Sequence, residues 1–168
     1  MSVALLRART SAAHELVDAA FGRFDLHEED DYRRALQAHA RALLPSEAEA
    51  AQVWPALRSR AEALATDLAS LGSSEEFARP QHVVERPHAW GALYVVEGSR
   101  LGGRLLAQRV APGLPHAYLS AAHRPGEWRA IRAAIDSACA GQDAQWHDRL
   151  IAGALAVFER YVSAAQAV

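Results

Sequence analysis

Apolar residues recur every three to four positions along most of this chain, and no stretch alternates with period two for long enough to argue a strand. Leu6, Thr10, Ala13, Val17 and Phe21 form one stripe, which predicts an amphipathic first helix from Leu6 to Phe21 stopped by Gly22. The acids Glu28, Glu29, Asp30 and Asp31 suit a helix N-terminus, so a second helix is expected through Tyr32, Leu36 and Leu43 to Leu44, ending at Pro45. Ser46 to Val53 reads as a short further turn. Pro55 then occupies a first helical position and opens a longer helix through Leu57, Leu64 and Leu68 to Gly72. After the break at Gly72-Ser73-Ser74, Pro87 opens a helix through Leu105 and Leu106 that Ala111-Pro112-Gly113 stops. Two more helices are predicted: Glu127 to Ala140 after Pro125, and Asp143 to about Ala164 with Leu150, Leu155 and Phe158 inward. The expected fold is all-α, one domain over residues 1–168 built as a bundle of roughly six to eight helices.

The fifth of these segments is unusual. Leu93-Tyr94-Val95-Val96-Glu97-Gly98-Ser99-Arg100-Leu101-Gly102-Gly103 carries three glycines inside a helix, each costing about 1 kcal/mol against alanine. Gly98 and Gly102 are one turn apart, as are Ser99 and Gly103, so two adjacent rows of one face carry almost no side chain. A flat ligand could lie on such bare backbone. Close packing on another helix, or a helix that ends and restarts at Gly102-Gly103, would use the same residues.

Composition narrows the function classes. With 168 residues and a 51% hydrophobic fraction the chain can bury a core and still leave an internal pocket, and a formal net charge of -2 offers no broad basic surface for nucleic acid. All eighteen basic residues are Arg, so an anion site must use Arg, His or backbone. The lone Cys139 requires no oxidising compartment. The Met1–Arg7 start is too briefly apolar for a signal peptide, and no run is long enough to cross a bilayer, so a soluble, cytoplasmic protein without a membrane partner is expected.

Among eight histidines, His14 stands out because Arg7 lies on the same helical face, about 10.5 Å along the axis at 1.5 Å per residue. That spacing suits a porphyrin held by imidazole at its iron and by guanidinium at an edge carboxylate. Taken alone, a half-buried His and a surface Arg would need no ligand. Other chemistries have less support: His82 and His88 are off a common helical face, Ser99 lacks the context of a nucleophile elbow, and Cys139 has no evident base. Glu47 and Glu97 form an acid/base pair only if the fold brings them together.

Leu6-Arg7-Ala8-Arg9-Thr10-Ser11-Ala12-Ala13-His14, read with Gly91-Ala92-Leu93-Tyr94-Val95-Val96-Glu97-Gly98-Ser99-Arg100-Leu101-Gly102-Gly103, resembles heme oxygenases, most of all the bacterial, biliverdin-producing type that accompanies bacteriophytochromes. Asp31-Tyr32-Arg33-Arg34-Ala35-Leu36, Gly126-Glu127-Trp128 and Ala156-Val157-Phe158 extend the resemblance along nearly the whole chain.

The resemblance implies that heme, as substrate and cofactor together, is sandwiched between the first, proximal helix and a glycine-kinked distal helix. His14 would be the proximal iron ligand and Arg7 a propionate contact, with Tyr94 and Phe158 also on the cofactor and Arg100 and Tyr161 at the pocket border. Gly98, Ser99, Gly102 and Gly103 would form the catalytic distal wall. The implied reaction opens the ring to biliverdin with release of CO and ferrous iron. It uses O2 and electrons from a ferredoxin or other reductase, since the chain has no flavin or nucleotide motif. A bacteriophytochrome would be one product acceptor. Ser99 replaces the Asp that many heme oxygenases place after the first distal glycine to order water, which leaves the proton route open. Two alternatives remain: a non-catalytic heme-binding carrier or sensor on the same fold, and a helical interaction protein whose glycines serve packing alone.

Overall fold

The computed structural model describes residues 3–75, 77 and 83–168. Six α-helices follow one another: α1 (Val3–Phe21), α2 (Glu29–Ala51), α3 (Ala61–Ser70), α4 (Arg86–Ala107), α5 (Glu127–Cys139) and α6 (Ala144–Gln166). No strand occurs among the described residues. The long helices α2, α4 and α6 pack on one another, α1 lies on α6, and α5 touches both α1 and α4. One cluster of buried apolar side chains, including Leu36, Leu43, Leu93, Val96, Ile135, Leu150 and Val157, joins them.

Glycine sets the closest approach in the bundle. A Cβ on Gly91 would lie 2.6 Å from the Ala154 amide nitrogen, and one on Gly153 would lie 2.6 Å from the His88 Cα. Here α4 and α6 therefore cross backbone against backbone, and each glycine is excluded from carrying a side chain by the other helix.

Three expectations are corrected. Pro45 does not end a helix: α2 runs through it to Ala51 and absorbs the segment expected as a separate turn. An interior proline costs about 3 kcal/mol, but the turns around it are fixed from outside. Ser46 Oγ donates to the Ala42 carbonyl (2.7 Å), Arg160 of α6 donates to Ser46 Oγ (2.6 Å) and to Glu49 (2.8 Å), and Ala42, Leu43 and Ala50 are fully buried. Pro55 does not open a helix. It stands second in the turn that Leu57 N closes on Trp54 O (2.9 Å), a position that wants the same φ as a helical N-terminus. α3 begins only at Ala61, where the buried Glu47 carboxylate accepts from Arg60 N (3.0 Å) and Ser59 Oγ (2.6 Å). Leu155, expected inward, is 38% exposed, because the buried face of α6 runs through Leu150, Ala154, Val157, Phe158 and Tyr161, well around the helix from it.

The helix expected after Pro125 is present as α5. Glu127 N bonds to Arg124 O across Pro125 and Gly126, and Gly126 takes φ 80°, which aims the chain into α5. His82 lies outside the described residues.

Candidate active site

A cleft of about 860 Å³ opens between α1 and α4. From α1 it receives Arg7, Ser11, His14 and Asp18; from α4 it receives Tyr94, Gly98, Ser99, Gly102 and Gly103; Phe158 of α6 completes this part of the wall. The His14 ring meets the Phe158 ring edge-on with centroids 5.9 Å apart. His14 Nδ1 lies 3.1 Å from Asp18 Oδ2, a contact that favours the proton on Nδ1 and the lone pair on Nε2. Both side chains are exposed, at 62% and 69%. Thr10, one turn earlier, is buried and its hydroxyl bonds back to the Leu6 carbonyl (2.9 Å).

Across the cleft α4 continues unbroken through Gly98, Gly102 and Gly103, but the three glycines face different things. A Cβ on Gly102 would meet nothing within 4 Å, and one on Gly98 would meet only the Trp128 ring at 3.8 Å. Gly103 is buried against the backbone of Leu119, whose carbonyl would stand 3.1 Å from an added Cβ. Bare backbone thus faces open space at the first two positions and close packing at the third. Trp128 stacks on His123 (5.5 Å, 21°) and lies 6.3 Å from Tyr94. Leu101 and Leu105 add exposed apolar surface at the mouth.

The floor is polar and largely uncharged, and of its residues the sequence reading foresaw only Tyr161. His39, Tyr118, Tyr161, Tyr32 and Arg60 all border the cleft. Tyr118 Oη sits 2.9 Å from His39 Nδ1, and His39 also packs on Phe21 and Tyr161. Burial, and after it the charge of Arg60, lowers the His39 imidazole to about 3, so it is neutral. Burial likewise raises the phenols of Tyr118, Tyr161 and Tyr94. The Tyr161 hydroxyl is buried with no hydrogen-bond partner among the described residues. His39 did carry a local signal, since it lies on the same face of α2 as Leu36 and Leu43; Arg60 carried none.

Glu47 and Glu97 do not act as a pair of free carboxylates. Glu47 is held by Arg60 and Ser59, whereas Glu97 is held by Arg100 (2.9 Å) and His123 (2.9 Å). Arg100 is buried, donates also to the carbonyls of Ala121 and Arg58, and does not border the cleft.

No protein-family model matches the chain. It is 36% identical over 149 residues to a heme oxygenase of Xanthomonas campestris pv. campestris (strain 8004), a match covering 79% of this chain and 87% of that protein. The chain belongs to the heme oxygenase family. Its fold is also that of the heme oxygenase of Neisseria meningitidis solved with NO and CO bound, with a TM-score of 0.78 at 23% identity over 96% of this chain and 88% of the other. Its described residues form helices and no strand, and none of these helices is long and apolar enough to cross a membrane. Of the residues singled out in its sequence, Arg7, His14, Tyr94, Gly98, Ser99, Gly102, Gly103, Phe158 and Tyr161 border one cleft, and Arg100 does not. Arg109 and Arg132 border it too, and neither was foreseen. The first turn of α1 is fixed on α5 by Val3 N to Asp136 Oδ1 (2.8 Å), and Arg7 and Arg132 each lie one turn from that contact.

Proposed function

We propose that the cleft takes heme edge-in, with His14 as the iron ligand on one face and the backbone at Gly98 and Gly102 on the other. The reaction is oxidative opening of the ring to biliverdin, with release of CO and ferrous iron. The observation that carries this reading is that one cavity receives the imidazole from α1 and the two side-chain-free positions from α4. Its volume lies toward the upper end of the range for small-molecule sites. Bound there, heme supplies the iron centre that activates O2 and is itself the molecule oxidised.

The chain's own residues bind, orient and exclude. Asp18 turns the ring of His14 so that Nε2 is the ligating nitrogen. Arg7, exposed and in no ion pair among the described residues, is placed to hold a propionate, and Arg132 offers a second guanidinium on the same side. Phe158, Tyr94, Leu101 and Leu105 give the apolar contact that a macrocycle needs. Gly98 and Gly102 let small molecules reach the helix backbone. The neutral phenols of Tyr118 and Tyr161 can hold a proton or a water beside the floor of the cleft without placing charge there. Electrons come from an external donor such as a ferredoxin or reductase, and a bacteriophytochrome is one acceptor for the bilin.

Heme titration followed by aerobic reduction tests this reading. The wild-type chain is expected to form a 1:1 complex with a sharp Soret band and then a green bilin, and His14→Ala to collapse the band while the helical content stays unchanged. A stable complex that yields no bilin would make the protein a heme carrier instead. Failure to bind heme at all would leave a helical interaction protein.

A further inference from the structure

At the floor of the cleft α4 is gripped by a short strap, residues 58–60, which joins the turn after α2 to α3. Arg60 is 3% exposed. Its Nη2 donates to the Val96 carbonyl (2.9 Å) and to Ser99 Oγ (2.9 Å), while the Ser99 hydroxyl donates to the same Val96 carbonyl (2.7 Å). These three bonds close a ring between strap and helix. They also commit the single proton of Ser99 to Val96, so the hydroxyl has none to donate into the cleft. The other end of the strap is held as firmly. Arg58 forms a two-pronged pair with Glu127 of α5 (3.0 and 2.7 Å), and Arg100 of α4 donates to the Arg58 carbonyl. Arg60 itself is seated by Glu47 of α2 and lies over the Tyr118 ring at 5.4 Å. Arg60 and Arg100 thus tie the strap to one turn of α4, the turn that carries Gly98, and Arg58 ties it to α5.

We propose that Arg60 is a positioning residue that sets how α4 lies over the substrate, and that Ser99 is its catch. The claim rests on the reading of the cleft as a heme site. A planar macrocycle can be seated in several rotations about the axis through its iron, and the rotation chosen decides which bridging carbon faces the open backbone at Gly98 and Gly102. A helix held by one buried strap offers a single seating; released, it offers more than one.

Two readouts test this, and the first needs no heme. In the ligand-free protein, Arg60→Met is expected to speed amide hydrogen exchange over residues 97–104 by about tenfold or more while α1 is unchanged. In the heme-loaded protein the same variant is expected to convert one dominant bilin isomer into a mixture at unaltered heme stoichiometry. Ser99→Ala, which keeps Arg60 on Val96, is expected to move both readouts by a smaller factor in the same direction. Because Arg60 and Ser99 form one latch, adding Ser99→Ala to Arg60→Met is expected to change nothing further. Arg60→Met also strands Glu47 in the interior, so Glu47→Gln/Arg60→Met and the charge-keeping Arg60→Lys are measured alongside it. Unchanged exchange and a single isomer in Arg60→Met would overturn the proposal. An undiminished effect of Ser99→Ala in the Arg60→Met background would also overturn it, since the hydroxyl would then act on the reacting molecule directly. If the wild-type chain makes no bilin, the catalytic reading fails and the exchange result judges the strap independently.

Discussion

The two walls of the cleft are built to different standards. α1 buries only Leu6 and Thr10 of its nineteen residues, and the pair proposed above to hold heme iron, His14 and Asp18, stands largely in solvent. α4 buries eleven residues, including Glu97 and Arg100, and its polar groups are tied to neighbouring segments by short, directional bonds. A wall with little buried surface opens easily, whereas one with a buried ionic network stays put. In this comparison α4 is the more deeply anchored wall, and α1 is the less buried one, whose packing a bound macrocycle would complete.

The largest effect is expected where α4 is anchored to α6. Gly91→Ala puts a methyl group 2.6 Å from the Ala154 nitrogen, so the helices must separate and stability should fall by about 3 kcal/mol or more, read from the urea midpoint. Gly102→Leu, on the same helix, should leave that midpoint within about 0.5 kcal/mol apart from helix propensity, because an added Cβ meets nothing within 4 Å. Its side chain enters the cleft, and heme affinity should drop by about a hundredfold or more in a Soret titration. A Gly102→Leu protein that binds heme as the wild type does would remove bare backbone from the account.

The floor where the walls meet gives a pH-dependent prediction. His39 titrates at 6.5 when unfolded and at about 3 when folded, so below pH 6.5 protons bind preferentially to the unfolded chain. The stability contributed by its neutral ring is complete above pH 6.5 and is lost progressively as pH falls toward 3. Thermal melts from pH 7 to 4 should show this decline, and His39→Gln should flatten it. The smallest effect belongs to α1. Asp18→Asn keeps a hydrogen-bond partner 3.1 Å from the imidazole but removes its charge, and at so exposed a site it should weaken heme binding by only about three- to tenfold.

Much of this architecture was legible in the order of residues. The stripe of α1, the acids that open α2 and the helix start after Pro125 are local patterns, and each produced the element it predicted. The errors were also local patterns, overruled from a distance. Pro45 was read as a stop because its missing N–H was visible, whereas the Arg160 contact that fixes the next turn comes from 114 positions later. Pro55 was ambiguous because a turn and a helical first position want the same φ. The candidate site divides the same way: His14 and Arg7 share one helix, so a periodicity of 3.6 places them together. Arg60, His39, Tyr118 and Tyr161 come from four separate segments and meet only in the folded chain.

What the sequence determined by itself was the helical character of most of the chain and which residues share a helical face, because both depend on neighbours within a turn or two. It also determined that one helix forgoes side chains at Gly98, Gly102 and Gly103. Tertiary structure alone decided what each absence is for. Gly103 gives room to the Leu119 backbone, Gly91 and Gly153 let two helices touch, and Gly98 and Gly102 border open space. A missing side chain is the same in every sequence context; its consequence depends on which distant atoms the packing brings to that spot.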